Sequence, residues 1–120
     1  MPEAMDARYD LARFLAAQSP VIDAVLAELR AGRKESHWMW FAFPQLGALG
    51  RSGTARFYGI EDLEHARRYL AHPVLGPRLL ACTRAVLAHG DQTAHAIFGS
   101  PDDLKFRSCM TLFDLAGPQH

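Results

Sequence analysis

Cysteine is scarce in this chain of 120 residues, which contains only Cys82 and Cys109. They form no CxxC pair, so the sequence offers neither a disulfide framework nor a structural zinc site. Each cysteine lies on an apolar helical pattern, where a free thiol packs as a small hydrophobic side chain. We therefore predict that both are core residues and that neither is a nucleophile.

Long apolar runs and an excess of charge are also missing. No run approaches the roughly 20 apolar residues that cross a bilayer, and the first residues are acidic and polar, unlike a signal peptide. Thirteen basic and thirteen acidic residues cancel, so no global field draws the protein to nucleic acid or to an anionic membrane. We expect a cytoplasmic protein with no nucleic-acid or membrane partner, built as a single domain over residues 1–120 with its ordered helical core over residues 7–116.

Metal and cofactor motifs have no counterpart in the sequence. It contains no HExxH and no G-x-S-x-G motif, whose residue types would supply zinc ligands or an activated serine. His65, His72, His89 and His95 lack an i, i+4 pair with a third ligand. We expect dispersed surface histidines, with no metal and no cofactor.

Lysine is the scarcest charged residue. Only Lys34 and Lys105 are lysines among the thirteen basic residues. A compact ammonium and a planar guanidinium are not interchangeable. The rarity of lysine therefore indicates a specific role for these two.

Helical patterns fill most of the chain, and no β-hairpin signal interrupts them. The sequence predicts an all-α fold, a single compact multi-helix domain with an irregular aromatic-rich segment after a first helical hairpin. Asp6 or Asp10 is expected to cap the first helix, and Ser19-Pro20 to begin the second, which Gly32 ends. Later helices are predicted from Asp62, over 74–89, over 93–98 and from Ser100. Because the last helix is apolar on every side, it is expected to be buried.

The aromatic segment, residues 34–59, interrupts this regularity. It holds both tryptophans, six of the twelve aromatic residues and four of the nine glycines. Pro44 breaks whatever precedes it, and Ser52 is expected to cap a short helix ending at Tyr58. On a strand Trp38 and Trp40 would lie side by side and could form the floor of one pocket. On a helix they point about 200° apart, and at least one belongs to the core.

Two groups of residues are candidates for chemistry. His37, between Ser36 and Trp38, either fixes the loop through backbone hydrogen bonds or acts as a general acid or base beside an aromatic wall. Lys105 and Ser108 follow the positive end of the last helix, where an anion would be favoured, although Asp102 and Asp103 partly neutralise it.

Several long motifs resemble one family. The run HWMWFAFPQ after Lys34, the segment from Tyr69 to Leu79 and the run IFGSPDDLKFRSCMTLF are similar to the domain of unknown function 1810, an uncharacterised bacterial family with some members labelled calpastatin. The likeness extends from about Tyr9 to Phe113. It implies a compact, mainly helical domain and supplies no activity.

Three departures from that family stand out. The family has glycine where this chain has Ala48 and serine where it has Cys109, and its members continue into a further helix. Without that helix, an oligomer or a reduced function is expected. A more distant similarity, in general arrangement, to helical domains that process ADP-ribose and related N-glycosides raises an enzyme hypothesis.

Two hypotheses of function remain open. In the first, a pocket binds a small anionic, ring-containing ligand such as a nucleotide or an ADP-ribose derivative, with His37 as the catalytic candidate. Its predicted ligand-binding residues are Lys34, Ser36, Trp38, Trp40, Gln45, Lys105 and Ser108. In the second, the domain is a non-catalytic protein-interaction module that docks a partner, or a second copy, at the aromatic segment. The two differ in whether the Lys34, His37 and Lys105 tips share one concave pocket.

Overall fold

Helices account for nearly all the regular structure in the computed structural model, which describes residues 11–47, 53, 57–90, 92–100 and 102–117. The seven helices in these ranges are α1 Ala12–Gln18, α2 Ile22–Arg30, α3 Met39–Ala42, α4 Leu63–Ala71, α5 Leu75–Leu87, α6 Ala94–Phe98 and α7 Asp102–Ala116. Within the described ranges, β pairing is limited to an isolated parallel bridge between Leu46 and Ile60. The predicted all-α class is confirmed. No helix in the described ranges is long and apolar enough to cross a membrane.

The first hairpin forms as predicted but turns differently. Ser19 was expected to cap α2, yet its backbone N–H donates to Leu15 O at 2.9 Å and so completes the end of α1. Val21 occupies the N-cap position without a side-chain hydrogen bond. The expected Ser19 cap is therefore wrong, because α1 retains this residue. The predicted caps Asp6 and Asp10 lie outside the described residues, as does the start of the predicted core at residue 7.

Gly32 ends the hairpin as predicted. Its φ of +76° lies in the left-handed region, where a side chain is strained. The neighbouring loop is held by His89, whose Nε2 lies 3.0 Å from Leu29 O and 2.9 Å from Arg30 O.

Helix α4 begins where the sequence indicates, and its buried face includes a histidine that was expected at the surface. The Asp62 carboxylate accepts the His65 backbone N–H at 2.9 Å. The buried residues are His65, Ala66 and Tyr69, whereas Leu63 is 39% exposed. His65 was expected at the surface and is fully buried, with Nδ1 accepting the Glu61 N–H at 2.9 Å. That prediction is wrong because an imidazole whose Nδ1 accepts a hydrogen bond can occupy a core position.

The core is aromatic at one end. Phe106 of α7 lies with its ring centroid 5.1 Å from Phe43 and 4.9 Å from Phe98. Trp38 closes this group at 6.5 Å from Phe98. Helix α7 packs against α3, α4 and α6, while α5 packs against α2 and α4. The aromatic segment and the last helix therefore share one core.

The aromatic segment is partly helical, as predicted. Trp38 is the N-cap of the single turn α3. The helix stops before Pro44, at Phe43, whose φ is −127° and ψ is 74°. The backbone then returns close to itself, since a Cβ on Gly47 would lie 3.3 Å from the Gly59 Cα. The helix predicted from Ser52 to Tyr58 falls mostly outside the described residues.

Helix α7 is not buried all round, and the expectation of a fully buried helix is wrong. Its buried face consists of Phe106, Cys109, Leu112, Phe113 and Ala116. On the opposite face Leu104 is 58% and Leu115 is 64% exposed. The buried face contacts α3, α4 and α6, and in the described part of the chain no further helix covers the outer face.

Candidate functional site

Lys34 is placed by the backbone that follows α2. Its N–H donates to Ile97 O at 2.8 Å, which ties the start of the aromatic segment to α6. The Lys34 side chain is only 8% exposed. This lysine therefore points inward, toward the beginning of α7.

Lys34 and Lys105 converge on one carboxylate. The Asp102 Oδ2 atom lies 2.9 Å from Lys34 Nζ, and Oδ1 accepts from Lys105 Nζ at 3.1 Å. Asp102 and Lys105 are 18% and 20% exposed. The two lysines, 71 positions apart in the sequence, meet because α7 begins beside the loop that carries Lys34. We call Lys34, Asp102 and Lys105 the lysine–aspartate cluster.

The cluster keeps its carboxylate ionised. Partial burial alone would raise the pKa of Asp102, but hydrogen bonds from Lys34 and Lys105, together with their charges, outweigh it and lower the pKa below its usual value. Two ammonium groups and one carboxylate leave one net positive charge. Water-poor surroundings strengthen this field. The arrangement can attract an anion.

The two tryptophans have different roles. Lys34 Nζ lies 5.1 Å from the Trp38 ring centroid, and Lys105 Nζ lies 3.8 Å from that of Trp40. Both contacts are within cation–π range. Trp38 is 2% exposed and belongs to the core, whereas Trp40 is half-buried. Of the two predicted stacking rings, only Trp40 has surface that a ligand can reach.

Glu28 fixes the loop between Lys34 and Trp38. Its carboxylate accepts from the Ser36 hydroxyl at 2.7 Å, from the Glu35 and Ser36 N–H groups at 2.7 and 2.9 Å, and from Trp38 Nε1 at 2.9 Å. Partial burial raises the pKa of Glu28, but these bonds, led by the Ser36 hydroxyl, outweigh it and lower the pKa to about 2. The Ser36 hydroxyl is thus bonded within the protein.

In the described part of the chain, no hydrogen bond or ion pair joins His37, Gln45 or Ser108 to the cluster. His37 is exposed. Ser108 lines a separate cavity of about 530 Å³ between α7, Leu46 and Leu63. Gln45 is half-buried, and its backbone carbonyl accepts the Ile60 N–H at 2.7 Å.

Sequence reasoning missed two acidic residues. Asp102 was interpreted as a helix cap that weakens an anion site, and Glu28 was not singled out. The available signal was the scarcity of lysine: two half-buried ammonium groups need a carboxylate nearby, and Asp102 is three residues from Lys105 on the same helix face. Among the described residues, no group of three or more His, Cys, Asp or Glu side chains is placed to hold a metal ion.

Fold and site together define a small all-α domain in which two distant lysines share one aspartate beside a tryptophan. The chain belongs to the family described as Protein of unknown function (DUF1810), whose model matches residues 8–120. The predicted resemblance is thereby confirmed. No curated protein matches the chain.

A solved structure with the same fold is the conserved hypothetical protein Rv1873 from Mycobacterium tuberculosis. The two chains are 55% identical, with a TM-score of 0.89. The similarity covers 92% of this chain and 79% of that one.

Proposed function

We propose that the lysine–aspartate cluster and Trp40 bind a small anion that carries a flat ring, with nucleotides and ADP-ribose derivatives as the ligand class. The observation behind this proposal is that the two lysines of the chain converge on Asp102, 2.9 and 3.1 Å away. Structural ion pairs are usually made with arginine where planar, bidentate geometry is needed. Two lysines that share the Asp102 carboxylate suit a site in which a ligand anion takes the place of that carboxylate.

The ligand's charged group would meet the two ammonium groups. Each ammonium has three N–H donors, and one donor of each is directed at Asp102. In this proposal the remaining donors meet phosphate or carboxylate oxygens, and the net positive charge of the cluster favours this. The accessible part of the Trp40 indole would contact the ring of the ligand.

The principal test measures binding by isothermal titration calorimetry. AMP, ADP and ADP-ribose are compared with inorganic phosphate, which lacks a ring. We expect Lys105→Met, which keeps the apolar stem, to weaken nucleotide binding by about tenfold, since a charge-assisted hydrogen bond contributes about 1.5 to 3 kcal/mol. The matched control is Arg33→Met, which removes the same charge from an exposed neighbour of Lys34. Equal affinities for Lys105→Met, Arg33→Met and the wild type would reject the proposal.

A second variant tests whether the ligand competes with Asp102. Asp102→Asn removes the internal anion and leaves both ammonium groups in place. We expect it to bind phosphate-bearing ligands about tenfold more tightly than the wild type, because the like charge that opposes the ligand is gone. Failure of both proteins to bind any member of the panel would contradict anion binding here.

Action on N-glycosides is the finer part of the proposal. In this proposal the ligand held by the cluster extends to His37, which is exposed and three positions from Lys34, and the imidazole donates or accepts a proton there. We expect His37→Ala to abolish turnover of an N-glycoside while leaving its affinity within about threefold. Unchanged turnover in His37→Ala would remove the catalytic role and leave the binding role intact.

One observation favours the alternative of an interaction module. The Phe57 side chain, inside the aromatic segment, is 57% exposed and contacts the Tyr58 ring at 4.8 Å. If this ring docks a partner or a second copy, Phe57→Ser will change the assembly state in sedimentation experiments and leave nucleotide binding at the cluster unchanged. An unchanged assembly state in Phe57→Ser would reject the alternative.

A further inference from the structure

The outer face of α7 carries apolar side chains that nothing in the described part of the chain covers. Leu104 and Leu115 are 58% and 64% exposed. They lie on a stripe with three exposed polar residues, Arg107, Thr111 and Asp114. Two large exposed leucines on one helix face mark a surface that associates more readily than an ordinary polar helix face.

An apolar groove lies on each side of this stripe. One cavity of about 530 Å³ lies between α7 and the pair Leu46 and Leu63. The other, of about 450 Å³, lies between α7 and the α4–α5 side chains Leu70 and Leu80. Thr111 borders both cavities. The stripe is therefore a ridge with a groove on either side, a shape that can fit its own copy.

We propose that the outer face of α7 pairs with the same face of a second copy of this chain, antiparallel, about a two-fold axis near Thr111. In such an isologous contact, each α7 ridge lies beside the grooves of the other copy. The interface is separate from the lysine–aspartate cluster. It gives the protein a second binding function besides the proposed ligand site.

The charges on the ridge favour this orientation. Arg107 and Asp114 are seven residues apart, close to two helical turns, so their backbone positions share one side of the ridge. The Arg107 side chain also reaches the cavity that Leu46 and Leu63 line, and Asp114 borders the other cavity. They are four positions before and three positions after Thr111. A two-fold axis there places Arg107 of each copy beside Asp114 of the other, which gives two ion pairs. A parallel pairing would instead oppose Arg107 to Arg107.

Leu115 favours the same arrangement. Leu115 and Ser108 are also seven residues apart and share the other side of the ridge. The antiparallel axis brings Leu115 of one copy to Ser108 of the other, at the cavity that Leu46 and Leu63 line. Because the chain has no net charge, two copies approach without long-range repulsion. The ridge is thus complementary to itself in both charge and shape.

Sedimentation equilibrium of charge-swap variants tests the proposal. We expect the wild type to dimerise, and Arg107→Asp or Asp114→Arg alone to raise the dimer dissociation constant at least about tenfold, since each creates two like-charge contacts. The double variant Arg107→Asp/Asp114→Arg restores both pairs and should return to within about threefold of the wild type. Both residues are exposed, and circular dichroism verifies that the variants are folded.

Two outcomes overturn the proposal. One is a wild type that remains monomeric at concentrations up to about 1 mM. The other is a dimer that both single variants leave unchanged, or that the control Phe57→Ser dissociates instead. A monomeric wild type would leave the ridge to another occupant. A dimer that does not depend on Arg107 and Asp114 would have its interface elsewhere.

A cysteine at the axis gives an independent measurement. Under oxidised glutathione, Thr111→Cys should form a disulfide-linked dimer, because the two copies of residue 111 meet at a two-fold axis. The native thiols are buried. The matched control is Ala27→Cys on the exposed face of α2. Cross-linking no faster at residue 111 than at residue 27 contradicts the proposed axis.

Discussion

At the scale of single residues, Gly76 is a position that cannot accept a side chain unless the backbone moves. It lies in the first turn of α5, where a Cβ would come 2.1 Å from the carbonyl oxygen of Leu70 in α4. That atom belongs to the backbone, so it cannot rotate aside as a flexible side chain could. The α4–α5 joint therefore depends on the absence of a Cβ at this position.

We predict that Gly76→Ala lowers the free energy of unfolding by about 3 kcal/mol or more, the upper range for overpacked sites. Urea denaturation measures the loss. The matched control is Gly90→Ala, where the nearest atom to the new Cβ is Leu87 O at 4.0 Å. A loss in Gly76→Ala no larger than in Gly90→Ala would show that the α4–α5 joint has room to move.

Single residues also show where sequence reasoning succeeds. The scarcity of lysine singled out Lys34 and Lys105, which do meet. The carboxylate that the two lysines share could not be predicted, because the position of Asp102 at the start of the last helix already explained this residue. His65 was misplaced for the same reason: side-chain type gives the average burial of histidine, whereas the Glu61 N–H that donates to its Nδ1 is known only from the fold. Long-range partners decide such cases.

At the scale of elements, helix existence was predictable and helix orientation was not. Apolar spacing located α1, α2 and α5, whose buried faces include Phe14, Val25 and Leu79. It failed on α7, where apolar residues on all sides were interpreted as full burial. Periodicity reports which faces are apolar, but the number of neighbours that cover them is a property of the packed helices.

The contact between α2 and the loop before α3 has a predictable pH dependence. Because the pKa of Glu28 is lowered from 4.5 to about 2 in the folded protein, its ionised form is stabilised by folding. That stabilisation is complete above pH 4.5 and is lost as the pH falls through about 2.

We expect Glu28→Gln to cost about 1 to 2 kcal/mol at neutral pH, a value reduced for solvent screening. The difference between the variant and the wild type should shrink steadily as the pH is lowered from 4.5 toward 2. Urea denaturation over this range measures it, with Glu35→Gln as the control in the same loop. A difference that does not change with pH would mean that the Glu28 carboxylate is not held by the Ser36 and Trp38 donors.

At the scale of the whole molecule, the core is one continuous hydrophobic cluster that contains both thiols. Cys82 and Cys109 are 1% and 0% exposed. Burial raises the pKa of Cys82 to about 11 and raises that of Cys109 well above its usual value. Since the thiolate is the reactive form, both cysteines are protected twice, by inaccessibility and by protonation.

Thiol labelling should therefore report the opening of the whole domain. With an aromatic disulfide reagent in large excess, we expect labelling of the native protein to follow the fraction unfolded, and to accelerate with urea along the same curve as circular dichroism. The exposed thiol of Ala27→Cys provides the internal standard, since it should react at once in the native state. If Cys82 or Cys109 reacts as fast as that standard without urea, then α5 or α7 opens locally, and the core is not the single cooperative unit that its shared aromatic packing indicates.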